Sequence, residues 1–272
     1  MTAAAAAVTG ATRVVGHRGG ALLWPENSLA GFRAALALPG LAMVECDVHS
    51  AADGVPVVMH DATLDRTTEG GTGPVAARSS AELARVPVRG AGGEGVPTLA
   101  ALCALVASAP CGAGLQVEVK DDARGRAYPG LVAAVLRDLD AHAGLRARAA
   151  IIAFRPETVA EAAASGAGLD HVALLFGARE FRARGAGRAA AEARAVGADT
   201  VETRVEALDG ADVAALRAGG VRLVGCWGAN DEGGVRRALS LRLDMMATDD
   251  PPLALRLRAD RDGAAGTCAP PR

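Results

Sequence analysis

A chain of 272 residues, half of them hydrophobic, suits one large domain or two small ones and can bury a sizeable core. Lys and Arg number 29 against 31 Asp and Glu, which excludes a general nucleic-acid binder, since that would need a basic excess. No stretch approaches about 18 uninterrupted apolar residues, which argues against a membrane-spanning helix. Aromatics make up only 3% of the chain, so alanine, valine and leucine must fill the interior. The five cysteines, Cys46, Cys103, Cys111, Cys226 and Cys268, match no zinc or redox spacing. They read as reduced thiols, and a cytoplasmic protein is expected. Residues 1–12 are alanine-rich without a basic start, and read as a disordered tail rather than a signal peptide.

The predicted elements alternate. Arg13 to His17 reads as a short buried strand that breaks at Gly19-Gly20. Asn27-Ser28 offers an N-cap, and Leu29, Phe32, Ala35 and Leu36 carry a helical period that stops at Pro39-Gly40. An apolar approach, Leu41 to Val44, then runs into Glu45 and Asp47, after which Asp53-Gly54 signals a tight turn. The returning extended run, Val55 to Met59, ends in His60-Asp61. Residues 61–97 read as a short insertion loop with one helix over Ser80 to Arg85. Thr98 caps the next helix, and Leu115 to Lys120 is a strand. Strands are predicted at Ala150 to Phe154, Val172 to Phe176, Thr200 to Glu202, Arg222 to Cys226 and Met245 to Thr248. Each is followed by a helical segment. Residues 259–272 read as a disordered C-terminal tail, which leaves 13–258 as one domain.

The run ending at His60 is too close to its predecessor for a parallel crossover, which needs about a dozen residues. It is the return arm of a hairpin. Removing it leaves eight strands, and eight βα units in about 250 residues point to a closed (β/α)8 TIM-type barrel with a hairpin loop after strand 2. A doubly wound sheet is the alternative, but Gly16-His17-Arg18-Gly19-Gly20 is not the Gly-rich phosphate loop that fold carries.

In a barrel, functional groups stand at the C-terminal strand ends. His17 and Arg18 end the first strand, Glu45 and Asp47 the second, Glu118 and Lys120 the third, with His60 on the hairpin beyond the second. Trp227 and Asn230 follow the seventh. Glu45 and Asp47, at i and i+2, share one face of a strand roughly 6.5–7 Å apart. Burying unpaired carboxylates is costly, and three of them with no paired Cys or His favour oxygen-liganded Mg²⁺ or Ca²⁺ over zinc. Arg18 and Lys120 add fixed positive charge suited to a phosphate. The two histidines can serve as general acid and base near neutrality. The set reads as metal-assisted phosphoryl transfer, with attack either by a neighbouring hydroxyl, through a cyclic phosphate, or by water.

The chain resembles the glycerophosphodiester phosphodiesterase family. The stretches that carry the resemblance are Gly16-His17-Arg18-Gly19, Pro25-Glu26-Asn27-Ser28, Glu45-Cys46-Asp47-Val48, Asp53-Gly54 through His60-Asp61 and Leu64-Asp65-Arg66-Thr67-Thr68. Pro97-Thr98-Leu99, Glu118-Val119-Lys120, Trp227-Gly228-Ala229-Asn230 and Thr248-Asp249-Asp250-Pro251 follow in the family's order. The resemblance implies the (β/α)8 barrel and hydrolysis of a small glycerophosphodiester to sn-glycerol 3-phosphate and an alcohol. It implies one divalent cation held by Glu45, Asp47 and Glu118, and acid/base roles for His17 and His60. Arg18 and Lys120 would contact the phosphate, Trp227 would line the pocket, and Glu26 and Asn27 would help bind substrate. A departure stands at Gly228-Ala229, where the family usually has Thr-Val. A lysophospholipase D-like activity would need an apolar groove that residues 61–97 do not advertise, and an inactive phosphate-ester binding barrel would be free to lose its histidines and acids.

Overall fold

The computed structural model describes residues 11–266. Eight parallel strands close on themselves: β1 (Arg13–Gly16), β2 (Met43–Ser50), β4 (Gly114–Val119), β5 (Ala149–Ala153), β6 (His171–Phe176), β7 (Thr200–Arg204), β8 (Leu223–Trp227) and β9 (Met245–Thr248). The sheet order is β1-β9-β8-β7-β6-β5-β4-β2, and β1 pairs with β2 to shut the ring. β3 (Pro56–Val58) lies antiparallel on β2, with Val48 opposite Val58. The expected hairpin arm is therefore an addition to the barrel's edge, and the TIM-type barrel stands.

Strand alternation sorts the side chains. Val44, Cys46 and Val48 of β2 face outward into the large core between sheet and helices, with Phe32, Leu102 and Val135. Met43 faces inward and packs with Val15, Ala150, Leu223 and Met245 in a plug near the strand starts. Glu45 and Asp47 share that inward face, nearer the strand ends. Strands buried on both faces cannot show a simple apolar-polar alternation, and β5 and β6 do not.

The surrounding helices are α1 (Leu29–Leu36), α3 (Leu99–Ser108), α4 (Leu131–Asp140), α5 (Pro156–Ser165), α6 (Ala178–Arg184), α7 (Ala186–Ala195), α8 (Gly210–Ala218), α9 (Glu232–Ser240) and α10 (Pro251–Gly266). Their starts are written in the sequence. The Ser28 and Thr98 hydroxyls accept from the amides of Gly31 and Ala101, and Asp209 and Asp231 cap α8 and α9. Helix α6 precedes the one helix expected between β6 and β7. It is divided from α7 by Gly185, whose φ of 75° suits glycine and stops helix propagation.

Two other expectations are revised. Residues 61–97 carry a short α2 (Ser80–Leu83) closed by a Ser79–Glu82 capping box. The segment also has its own small core of Leu64, Val75, Leu83, Val88 and Val96 against Val57 and Met59. Its polar composition hid a packed flap. At the C-terminus, α10 runs on through the first eight residues read as a tail, to Gly266. Arg258 donates to the carbonyls of Thr12 and Gly40, and Arg261 to that of Leu239, so basic residues tie this helix to the barrel. Of the tails expected over residues 1–12 and 259–272, residues 1–10 and 267–272, Cys268 among them, lie outside the described residues, and Thr12 is buried. Among the described residues no helix is long and apolar enough to cross a membrane.

Candidate active site

A cavity of about 420 Å³ opens at the C-terminal ends of the strands. It is lined by His17, Arg18 and Glu26 from the β1 loop, Glu45 from β2, His60 from the hairpin, and Glu118 and Lys120 from β4. Trp227 and Asn230, beyond β8, close another side. The residues expected from the first three units therefore converge.

Glu45, Asp47 and Glu118 are all buried, and one oxygen of each lies within 4.8 Å of the others. The register causes this: Asp47 sits directly beside Glu118 on the neighbouring strand, and Glu45 is two residues back on the same face. Burial and the neighbouring Asp47 charge push the Glu45 carboxyl up to about 8. Burial raises Glu118 to about 7, against the pull of Lys120. Asp47 goes the other way: burial alone would raise it, but Lys120 and Arg18 hold it well below the usual carboxylate range. Glu45 Oε1 and Asp47 Oδ1 are buried without a hydrogen-bond partner. Buried carboxylate oxygens without hydrogen bonds, in three residues this close together, are a poor arrangement in a metal-free core and a good fit to an oxygen-liganded divalent cation.

Positive charge brackets the triad. Lys120 Nζ is 2.7 Å from Glu118 and 3.3 Å from Asp47, and Arg18 Nε lies 3.3 Å from Asp47 Oδ2. Arg18 occupies the left-handed region (φ 50°), and its backbone N–H donates to Glu45 at 2.9 Å. That strain is tolerated because the turn after β1 is fixed on both sides of it. Lys120 keeps its proton: burial works against the charge, but Glu118 and Asp47 outweigh it and raise the ammonium pKa.

Each histidine has its own carboxylate. His17 Nδ1 lies 2.5 Å from Asp249 Oδ1, and His60 Nδ1 lies 2.6 Å from Asp61 Oδ1. The far nitrogen of His17, Nε2, stands 3.9 Å from Glu45 Oε2. Burial draws the His17 pKa down, but the Asp249 bond and the Glu45 charge win and raise it. At His60 burial, with Lys120 and Arg18, prevails over Asp47 and lowers it. Asp249 is itself oriented by Asn230, whose amide donates to Oδ2 at 2.5 Å. Asp61 is gripped by Arg66, which also takes both oxygens of Glu26 at 2.8 Å.

Two expected substrate contacts are placed differently. Asn27 does not line the cavity. It is buried in a left-handed conformation (φ 53°), donates to Asp47 Oδ2 at 2.9 Å and accepts from the Asp47 amide. It holds a carboxylate of the triad from behind, because its short side chain on a reversed backbone reaches β2 and not the mouth. Glu26 does line the cavity, with its carboxylate engaged by Arg66 and, at 3.5 Å, by Arg18. Asp61 and Asp249 have no role in the sequence reading, although both stand in motifs singled out there, and Asn230 is placed there on the rim without the Asp249 contact it makes. The rule about strand ends would have found Asp249, which directly follows β9. Gln116, Glu202, Arg204 and Phe154 also line the cavity, and nothing in their local sequence marks them.

A family model described as the glycerophosphoryl diester phosphodiesterase family matches residues 17–253. Glycerophosphodiester phosphodiesterase 1 of Bos taurus is 55% identical over 56 residues, 21% of this chain and only 17% of that relative. A crystal structure of a candidate glycerophosphoryl diester phosphodiesterase from Agrobacterium tumefaciens superimposes with a TM-score of 0.87 at 30% identity, covering 93% of this chain and 100% of that one. An Oleispira antarctica phosphodiesterase, in complex with the product sn-glycerol-3-phosphate, gives a TM-score of 0.77 over 92% and 97% of the two chains. At 24% identity that last likeness is one of fold. By the extent of the family match and the agreement of fold and site, the chain belongs to the glycerophosphoryl diester phosphodiesterase family.

Proposed function

We propose that the protein is a divalent-cation-dependent phosphodiesterase that hydrolyses glycerophosphodiesters to sn-glycerol 3-phosphate and an alcohol. The observation that carries this reading is the buried triad of Glu45, Asp47 and Glu118 with Arg18, Lys120 and two carboxylate-backed histidines in one cavity. Mg²⁺ or Ca²⁺ on the triad would supply fixed positive charge that polarises the phosphoryl group. Arg18 and Lys120 take the phosphate oxygens, whose negative charge offsets the crowding of cations around them.

His17 and His60 perform the proton transfers. Asp249 and Asp61 occupy the Nδ1 side of each ring and leave Nε2 toward the cavity. One imidazole accepts the proton of the attacking oxygen, and the other protonates the departing alcohol oxygen. Over the whole reaction one P–O bond to the alcohol breaks and one P–O bond to the oxygen of water forms. Trp227 walls the substrate, with the Arg204 guanidinium stacked 5.0 Å from its ring centre. A reducing, cytoplasmic setting belongs to the same reading, and the four described cysteines are free thiols.

The test is an assay of the purified protein on glycerophosphocholine with Mg²⁺ or Ca²⁺, with both products identified. Choline and sn-glycerol 3-phosphate are expected. Release of phosphocholine and glycerol, or no cleavage with either ion, refutes the reading.

A further inference from the structure

Level with Glu45 and below Asp47 and Glu118, the barrel interior holds a second polar group that the proposed chemistry does not use. Gln116 is fully buried on β4, one strand over from Glu45 and level with it. Its amide nitrogen donates to Glu202 Oε1 of β7 at 2.5 Å, and its Oε1 has no partner. Glu202 is 2% exposed, and both side chains line the catalytic cavity. The neighbouring strand makes room for the carboxylate. A Cβ on Gly225 would stand 2.7 Å from Met245 Cγ, 2.8 Å from Glu202 Cγ and 3.0 Å from Cδ, so the glycine makes room for both side chains.

The carboxylate is also supported from below. The His171 ring is 3.8 Å from Glu202 Oε1, its Nδ1 is 2.7 Å from Asp170, and Arg13 closes the chain on Asp170 at 2.7 Å. A buried carboxylate is expensive to maintain without the amide and imidazole that keep this one in place. Toward the cavity Glu202 and the Gln116 amide oxygen present acceptors, while the Gln116 amide nitrogen faces Glu202 and, at 3.4 Å, the His171 ring. The strand sides next to it are apolar, with Ile152 and Leu175 also lining the cavity. A site of this kind takes a neutral hydroxyl donor.

We infer that Glu202 and Gln116 form a hydroxyl-recognition subsite at the cavity floor that takes the terminal, unphosphorylated hydroxyl of the substrate's glycerol. This deepens the proposed phosphodiesterase reading and rests on it. The subsite selects for a free glycerol and against glycerol acylated at that position. An acyl ester removes that hydroxyl's O–H and adds a chain beside His171 and the buried plug of Met43, Ala150 and Met245. A lysophospholipase D-like activity is disfavoured on the same ground. A buried acceptor left without its donor costs enough to be seen in turnover.

The experiment compares kcat/KM of the whole protein with its cation on two phosphocholine diesters. One is glycerophosphocholine, and the other is its 1-deoxy analogue, in which propane-1,2-diol replaces glycerol and adds no bulk. The expected result is a preference for the parent of at least about tenfold. In Glu202→Leu, and separately in Gly225→Ala, which crowds the carboxylate, that preference should shrink toward one. Equal kcat/KM for the two diesters in the unmodified protein overturns the subsite while leaving the phosphodiesterase reading intact. Failure to cleave either diester removes both. If neither variant folds, the comparison in the unmodified protein decides alone.

Discussion

The two sides of the cavity are built on different principles. The wall formed by β1, β2 and β4 carries three buried carboxylates, two cations and, with the hairpin, two histidines, in strict register and each held by a named partner. The wall formed by β5 to β8 carries Ile152, Phe154, Leu175 and Trp227, with Glu202 and Arg204 as its charged members, the first bonded to Gln116 and the second paired with Glu206. The first wall can move charge and protons, and the second can only shape and orient. Perturbing each side should therefore give different kinetic signatures, and a mixed signature would break the comparison.

The largest effect falls on the metal. EDTA should abolish turnover, and Mg²⁺ or Ca²⁺ should restore it. A thermal melt gives a second readout. In chelator the fold favours protonated Glu45 and Glu118, whose pKa values stand near 8 and 7 instead of 4.5. Their contribution to stability is thus present below pH about 4.5 and is lost as pH rises through about 7 to 8. The gain in Tm on adding cation should be larger at pH 8 than at pH 5. An equal gain at both pH values, or full activity in chelator, would remove the triad from the proposed mechanism.

Next come the histidines. His17→Ala and His60→Ala should each lower kcat by about 10²–10⁴, with the far-UV spectrum unchanged. Lys120→Met should cost roughly two orders of magnitude, as for one lost electrostatic contact in the transition state. Near-normal kcat/KM in a folded Lys120→Met protein would make Lys120 a structural partner of Glu118 only.

The same division explains what was legible in the sequence. Acids at i and i+2, a histidine at a strand end and a turn at Asp53-Gly54 are local patterns, and they located most of the first wall. The barrel followed from counting strands and discarding a return arm too short for a crossover. Asn27, expected among the substrate contacts, instead reaches Asp47 because its left-handed backbone turns the side chain inward, which no neighbouring residue signals. The second wall is assembled from one or two residues on each of four strands, and only closure of the sheet brings them together. Glu202 reads as an ordinary polar residue between Val201 and Thr203, because its partner Gln116 is 86 positions away. The packed flap was hidden for a related reason. Its small core is split among short apolar residues separated by glycines, with no period to detect.

The smaller effects belong to the second wall. Trp227 is fixed between the Arg204 guanidinium and the edge of Phe154, whose ring centre lies 6.2 Å away. Trp227→Ala removes the wall proposed to touch substrate, and about a tenfold rise in KM is expected with kcat less affected.

Phe154 is the mildest case and the most informative. It is 43% exposed at the mouth, directly after β5, and lines both the catalytic cavity and a neighbouring one beside His60 and Lys120. An edge-to-face aromatic pair contributes about 0.5–1.5 kcal/mol, and an exposed one lies at the low end. Phe154→Ala should therefore raise KM about threefold and leave kcat unchanged, because no charged group of the first wall depends on it. A fall in kcat comparable to that of Lys120→Met would mean that the aromatic wall positions the phosphate itself. The two sides would then act as one unit, and a Phe154→Ala/Lys120→Met double variant would show it as strong non-additivity.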